Sequence, residues 1–289
     1  MWPSSLPRDR AGAADLIIVP FLHIVRFLAA TDAKALVYSS STFPVLLLLH
    51  GMFGRSEDWR ACAAYLARHC RVLTPDLPVL DLPRSETGIH SLVEYVEDLL
   101  DRELVDHAVI AGNSLGGHVA LSVALRNPQR VAGLVLTGSS GLFKRGFESN
   151  VPRRPSKEWV RKRIRDVFFE DRHVSSHLVD EVYSTVTDST LVRKIVRMAK
   201  SVKHENLGEI LHRVCCPVLL VWGNEDRITP PATAHEFKER IPQAELHFID
   251  RCGPAPNIER PEVLSRLVEQ FLQRHFGPVA TCSPALHHD

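Results

Sequence analysis

From Pro44 onward, short apolar runs with almost no polar interruption alternate with longer amphipathic segments. That alternation points to a parallel sheet covered by helices, because parallel strands need long crossovers and those crossovers are usually helical. The expected strands are Pro44–His50, Arg71–Asp76, His107–Gly112, Val131–Thr137, Pro217–Trp222 and Ala244–Asp250. Most lack the apolar–polar alternation of a strand with one wet face, so they read as buried on both faces. Helical spacing fills the gaps at 56–69, 88–104, 115–127, 231–241 and 261–276, as where Leu92, Val96, Leu99 and Leu100 recur.

Between Thr137 and Cys216 the alternation stops. Trp159, Val160, Ile164, Val167 and Phe168 in one stretch, and Leu178, Val182 and Val186 in the next, predict helices broken by Pro152, Pro155 and Asp188. A helical excursion above the strand ends is where a cap over a site would sit. The expected organisation is an uncertain N-terminal segment over 1–34, a core of 35–139 and 214–276, a helical cap over 140–213, and a flexible tail over 277–289. With 289 residues and 45% hydrophobic content, the chain can bury a core without disulfides or metals.

Bulk properties narrow the function by exclusion. Lys and Arg total 35 against 34 Asp and Glu, which leaves no whole-protein attraction for nucleic acid or an acidic membrane. The six cysteines lack CxxC spacing and read as mostly buried thiols in a reducing compartment, with Cys215 and Cys216 entering a strand. The most apolar run, 16–30, is too short for a spanning helix and contains Pro20, His23 and Arg26. Asp15 and Pro20 also disrupt it as an export signal. The expectation is a cytoplasmic protein with no membrane span, export being the less favoured alternative and the oligomeric state left open. No metal, nucleotide or nucleic-acid motif is visible, so no cofactor is expected and the partner is a small molecule.

Two glycine-rich segments carry the chemistry. Gly112-Asn113-Ser114-Leu115-Gly116 follows a buried strand and opens a helix, fitting the G-x-S-x-G nucleophile elbow in the context that motif requires. Side chains at the two glycines would collide with neighbouring backbone, and Ser114 would present its hydroxyl in a strained conformation. The second segment, His50-Gly51-Met52-Phe53-Gly54, follows the first strong strand. Acyl transfer places negative charge on the former carbonyl oxygen, which preorganised N–H donors stabilise. The expected oxyanion-hole donors are the amides of Met52 and Leu115. Gly51, Phe53 and Asn113, with Phe143 and Trp159 from the cap, are the expected substrate contacts. His50, at the strand end, is read as tying the loop to its surroundings.

These motifs, in this order, resemble the α/β-hydrolase family from about Pro44 to Phe276. The resemblance implies a doubly wound, mostly parallel sheet with an inserted helical cap, and a triad in the order Ser, Asp, His. It assigns Ser114 as nucleophile and Asp226 as the acid, since Ile228 and Pro230 follow Asp226 at the family's spacing. The third member departs from the pattern. In Asp250-Arg-Cys-Gly-Pro-Ala-Pro-Asn-Ile-Glu-Arg-Pro261 the frame matches, and Pro254 stands where the histidine belongs. Proline cannot accept the serine proton. His118 lies one turn beyond Ser114, His247 falls mid-strand, and His235 and His275 lie on flanking helices, so none is assigned as a substitute.

The resemblance thus implies a serine hydrolase acting on a carboxylic ester or similar small acyl substrate, with activity weakened or lost. A non-catalytic ligand-binding protein and a carbon–carbon bond hydrolase of the ring-cleavage type are the alternatives. The HG-x-F-G loop favours esters. From Lys144 to Arg165 nine basic residues face two acidic ones, read first as a solvated cap surface and second as an attraction for an anionic substrate.

Overall fold

The computed structural model describes residues 26–27, 35–38, 44–142, 152 and 154–277, with 26–27 and 35–38 described as backbone only. Eight strands form one sheet: β1 (Arg26–Phe27), β2 (Ala35–Tyr38), β3 (Leu46–Leu49), β4 (Val72–Pro75), β5 (Ala108–Asn113), β6 (Val131–Thr137), β7 (Val218–Gly223) and β8 (Glu245–Ile249). Their spatial order is β1-β2-β4-β3-β5-β6-β7-β8. β1 and β2, and β2 and β4, pair antiparallel, and every pairing from β4 through β8 is parallel. All six expected strands are present within a residue or two of their expected ends.

Consecutive side chains of a strand point to opposite faces, and here both faces are covered. Leu47 and Leu49 of β3 pack with Leu73, Ile110, Leu134, Leu136, Leu220 and Trp222 in the larger core cluster. That face is covered by α2 (Ile89–Arg102), α3 (Leu115–Arg126) and α7 (Pro231–Arg240). Leu46 and Leu48 instead join Val72, Val109, Val135, Leu219 and Val221 under α1 (Arg60–Leu66) and α9 (Pro261–Phe276). The unbroken leucine run of β3 is therefore two half-cores in one strand.

Among its described residues the inserted region holds three α-helices: α4 (Lys157–Val167), α5 (Ser176–Thr187) and α6 (Ser189–His204). Each starts at a side-chain cap. Ser156 accepts from the Trp159 N–H, Ser175 from the Leu178 N–H, and Asp188 from the N–H groups of Thr190 and Leu191, each satisfying amides that lack an intrahelical acceptor. Asp188 thus breaks the helical pattern by starting a further helix. α4 and α5 share a small core of Val160, Ile164, Val174 and Val179. α6 behaves differently: Met198 and Val202 enter the larger core, Arg197 donates to the Thr87 and Ser85 carbonyls, and Ser201 accepts from the Ile89 N–H.

β3 lies between β4 and β5, so the chain leaves β3 in one direction and returns past it to β5. Such a reversal opens a crevice at the carboxyl ends of the strands. Both glycine-rich segments begin there, with Leu49 of β3 opposite Gly112 of β5. A Cβ added to Gly116 would sit deep inside contact distance of the Leu49 and His50 carbonyl oxygens, and one on Gly112 would strike the Gly116 backbone. Gly116→Ala is expected to destabilise the protein by about 3 kcal/mol or to prevent folding, measured by urea unfolding. A loss below ~1 kcal/mol would show that helix and strand can separate at this point.

Candidate functional site

Ser114 joins β5 to α3 with φ 52° and ψ −110°, outside the regions that non-glycine residues ordinarily occupy. The strain is held from the β6 side, where the Ser114 N–H donates to the Thr137 carbonyl at 3.0 Å and the Ser140 N–H and hydroxyl both donate to the Ser114 carbonyl at 3.2 Å. The residue is partly exposed, and among the described residues its hydroxyl makes no hydrogen bond. Leu115 opens α3, so its N–H has no intrahelical acceptor. Gly51 lies alongside: a Cβ added there would be 3.6 Å from the Ser114 Cβ. The Met52 N–H has no acceptor among the described residues. Two free N–H groups on the loops flanking one serine can stabilise an oxyanion formed at that serine.

His50 is committed elsewhere. Its Nδ1 lies 2.7 Å from the Gly51 carbonyl and its Nε2 accepts from the Leu77 N–H at 2.8 Å, which fixes the tautomer with the proton on Nδ1. Burial also lowers its pKa. His118 is fully buried one helical turn past Ser114, and burial lowers its pKa to about 4. His247 lies near Glu245 on β8, His275 pairs with the same carboxylate, and His235 stacks on Phe248. None of the histidines among the described residues bonds to Ser114.

Asp226 follows β7 and is 3% exposed. Its Oδ1 accepts from the Ile228 and Thr229 N–H groups, both at 2.8 Å, and its Oδ2 from the Thr229 hydroxyl at 2.7 Å. Thr229 stands between the acid and β6, its hydroxyl also 3.1 Å from the Gly138 carbonyl. Desolvation pushes the Asp226 carboxyl up to about 6, with neighbouring Glu259 adding to the rise. Pro254 is buried beside this group; a Cβ added to Gly138 would fall 2.8 Å from the Pro254 carbonyl oxygen and 3.2 Å from Asp226 Oδ2.

Asn113, an expected substrate contact, is buried, and its Nδ2 lies 2.7 Å from the Pro254 carbonyl, 3.1 Å from the Thr137 carbonyl and 3.0 Å from the Thr137 hydroxyl. An amide nitrogen has two hydrogens, and all its donor capacity is spent inside the protein. Trp159 is half-buried against the α4–α5 core, beneath Arg163. Phe53 is half exposed, and Phe143 lies outside the described residues. Among the described residues of the basic stretch 144–165, three basic side chains pair with carboxylates: Lys157 with Asp180, Arg163 with Asp166 and Arg165 with Asp171. Cys62, Cys70 and Cys252 are buried thiols, whereas Cys215 is exposed because it lies in the turn before β7 and not in the strand.

A doubly wound sheet with a serine at a compressed strand-to-helix turn, beside a glycine loop from the neighbouring strand, defines a class of α/β folds built around one carboxyl-end crevice. The chain belongs to the α/β-hydrolase family, whose model matches residues 46–267. It is 30% identical over 235 residues to the 2-hydroxy-6-oxo-2,4-heptadienoate hydrolase of Pseudomonas putida strain F1, covering 74% of this chain and 83% of that one. It is 33% identical over 256 residues to the 2-hydroxy-6-oxononadienedioate/2-hydroxy-6-oxononatrienedioate hydrolase of Paraburkholderia xenovorans strain LB400, covering 78% and 86%. The crystal structure of MGS-MChE2, an α/β-hydrolase enzyme from the metagenome of Mar Chica lagoon sediments in Morocco, superposes with a TM-score of 0.70 at 28% identity, covering 85% of this chain and 96% of that one.

The Asp226 environment sets a pH dependence. Its folded pKa lies above the ordinary 3.8, so between about pH 4 and 6 the native state keeps a proton that the unfolded chain has released. The resulting stability is complete below that window and is lost as pH rises through it, a difference of about 3 kcal/mol. In Asp226→Asn, the amide oxygen still accepts from both N–H groups while the nitrogen donates to Thr229. Urea unfolding is expected to show equal stability of variant and wild type near pH 4 and a more stable variant at pH 7.5. A variant less stable at pH 7.5 would mean that the charged carboxylate is required.

Proposed function

We propose that this protein is a serine-hydrolase-type member of its family whose acyl-transfer chemistry is attenuated because position 254 carries proline. Ser114 is the nucleophile, Met52 and Leu115 supply the oxyanion-stabilising N–H groups, and Asp226 is the acid of the triad. The observation that supports this reading is the buried Pro254, whose carbonyl accepts from Asn113 beside Ser114 and, like Asp226 Oδ2, lies against Gly138. Attack by the Ser114 hydroxyl on a carbonyl carbon requires a group to take its proton and return it to the leaving group. Without that group, turnover falls by about six powers of ten, and the oxyanion hole and binding retain ~10³-fold over water.

The substrate class follows from two features that pull apart. The HG-x-F-G loop favours small esters. The relatives, named for hydrolysis of 2-hydroxy-6-oxo acids, favour a ketone-bearing carboxylic acid cleaved at a carbon–carbon bond. We take the second as the better supported, with binding of such a ligand persisting where turnover does not.

Comparison of wild type, Pro254→His and Pro254→His/Ser114→Ala, on a vinylogous diketone acid and on p-nitrophenyl acetate, tests both points. The histidine variant is expected to gain about 100-fold or more over wild type, and the added serine substitution to remove the gain. A larger gain on the diketone acid supports the carbon–carbon reading. Robust wild-type turnover abolished by Ser114→Ala would show that another base operates and would overturn the attenuation.

A further inference from the structure

A buried carboxylate is costly unless its oxygens are satisfied. Glu259, at the end of the short helix α8 (Pro256–Glu259), is 2% exposed and is satisfied by backbone from two separate parts of the chain. Its Oε1 accepts from the Gly253 N–H at 2.8 Å, and its Oε2 from the Phe169 N–H at 2.7 Å and more weakly from the Glu170 N–H at 3.4 Å. Gly253 immediately precedes Pro254. Phe169 and Glu170 follow α4, the first cap helix. The packing is close: a Cβ added to Gly253 would fall 2.9 Å from both Glu259 Oε1 and the Val167 carbonyl oxygen. Arg260 reinforces the junction by pairing with Glu170 and donating to the Arg251 carbonyl.

The other end of the same loop is also held. Asn113, next to Ser114, donates to the Pro254 carbonyl at 2.7 Å. Gly253–Pro254 is thus tied to the cap through its entering N–H and to the nucleophile turn through its leaving C=O. We infer that Glu259 is a positioning residue that couples the seating of the cap to the placement of residue 254, so that a ligand moving the cap also moves the loop beside Asp226. The inference rests on these contacts and stands whether or not the site turns over substrate. A carboxylate suits the role because both of its oxygens only accept; an amide sets a donor against either Gly253 or Phe169 and satisfies one side alone.

Amide hydrogen exchange on the full-length protein tests the coupling. Glu259→Gln is expected to accelerate exchange about tenfold at Gly253 and also at Phe169 and Glu170, with β6 amides unchanged. Asn113→Ala, which alters no cap contact, is expected to accelerate Phe169 and Glu170 as well; Asn113→Asp serves if the alanine variant does not fold. Thr137→Val removes one Asn113 acceptor and leaves Pro254 held, so its cap amides are expected to exchange as in wild type. Acceleration on only one side in Glu259→Gln, wild-type cap exchange in the Asn113 variant, or equal acceleration in Thr137→Val would overturn the coupling.

Discussion

The compression of backbone between β5, α3 and β3 is the constraint on which the rest of the site depends. Gly112 lies against Gly116, and Gly116 lies against the carbonyls of Leu49 and His50, so three elements meet with no side chain between them. Ser114 takes its positive φ because the turn closes in that space, and β6 holds it there through Thr137 and Ser140. Strain of this kind persists only where surrounding structure over-determines it. Once the turn is set, the Leu115 N–H, the Gly51 loop and the Asn113 side chain have their positions assigned by chain connectivity.

Electrostatics around this point are lopsided. Asp226 and Glu259 are both buried carboxylates, and each is satisfied by N–H or O–H donors and not by a cation. Burial raises the pKa of both; the Glu259 charge adds to the rise at Asp226, whereas Arg260 opposes the rise at Glu259. The buried Asp226 carboxylate is therefore a cost to the folded state at neutral pH, reduced by the hydrogen bonds from Ile228 and Thr229.

Much of this was legible in the sequence, and the gaps have physical reasons. The strands were readable because burial on both faces imposes nearly continuous apolar runs, and the turn at Ser114 because only glycine tolerates such backbone approach. What sequence could not convey was where polar side chains spend their hydrogen bonds. The motif position of Asn113 says nothing of its Nδ2 partners, which lie on β6 and on a loop 141 residues away. The bridging role of Glu259 leaves no trace in the sequence, because the Phe169 and Glu170 amides it accepts from lie 90 and 89 residues upstream. α6 reads as a cap helix by position, yet Met198 and Val202 complete the core below it. A polar periodicity carries no record of which face meets which neighbour.

The clamps on Gly253 and Pro254 act on an N–H and a carbonyl, and neither group belongs to a side chain. The bonds that hold position 254 therefore do not depend on which side chain projects from it. A loop held this way keeps its backbone path through contacts that a substitution at 254 does not itself remove, and such a change is felt through packing alone.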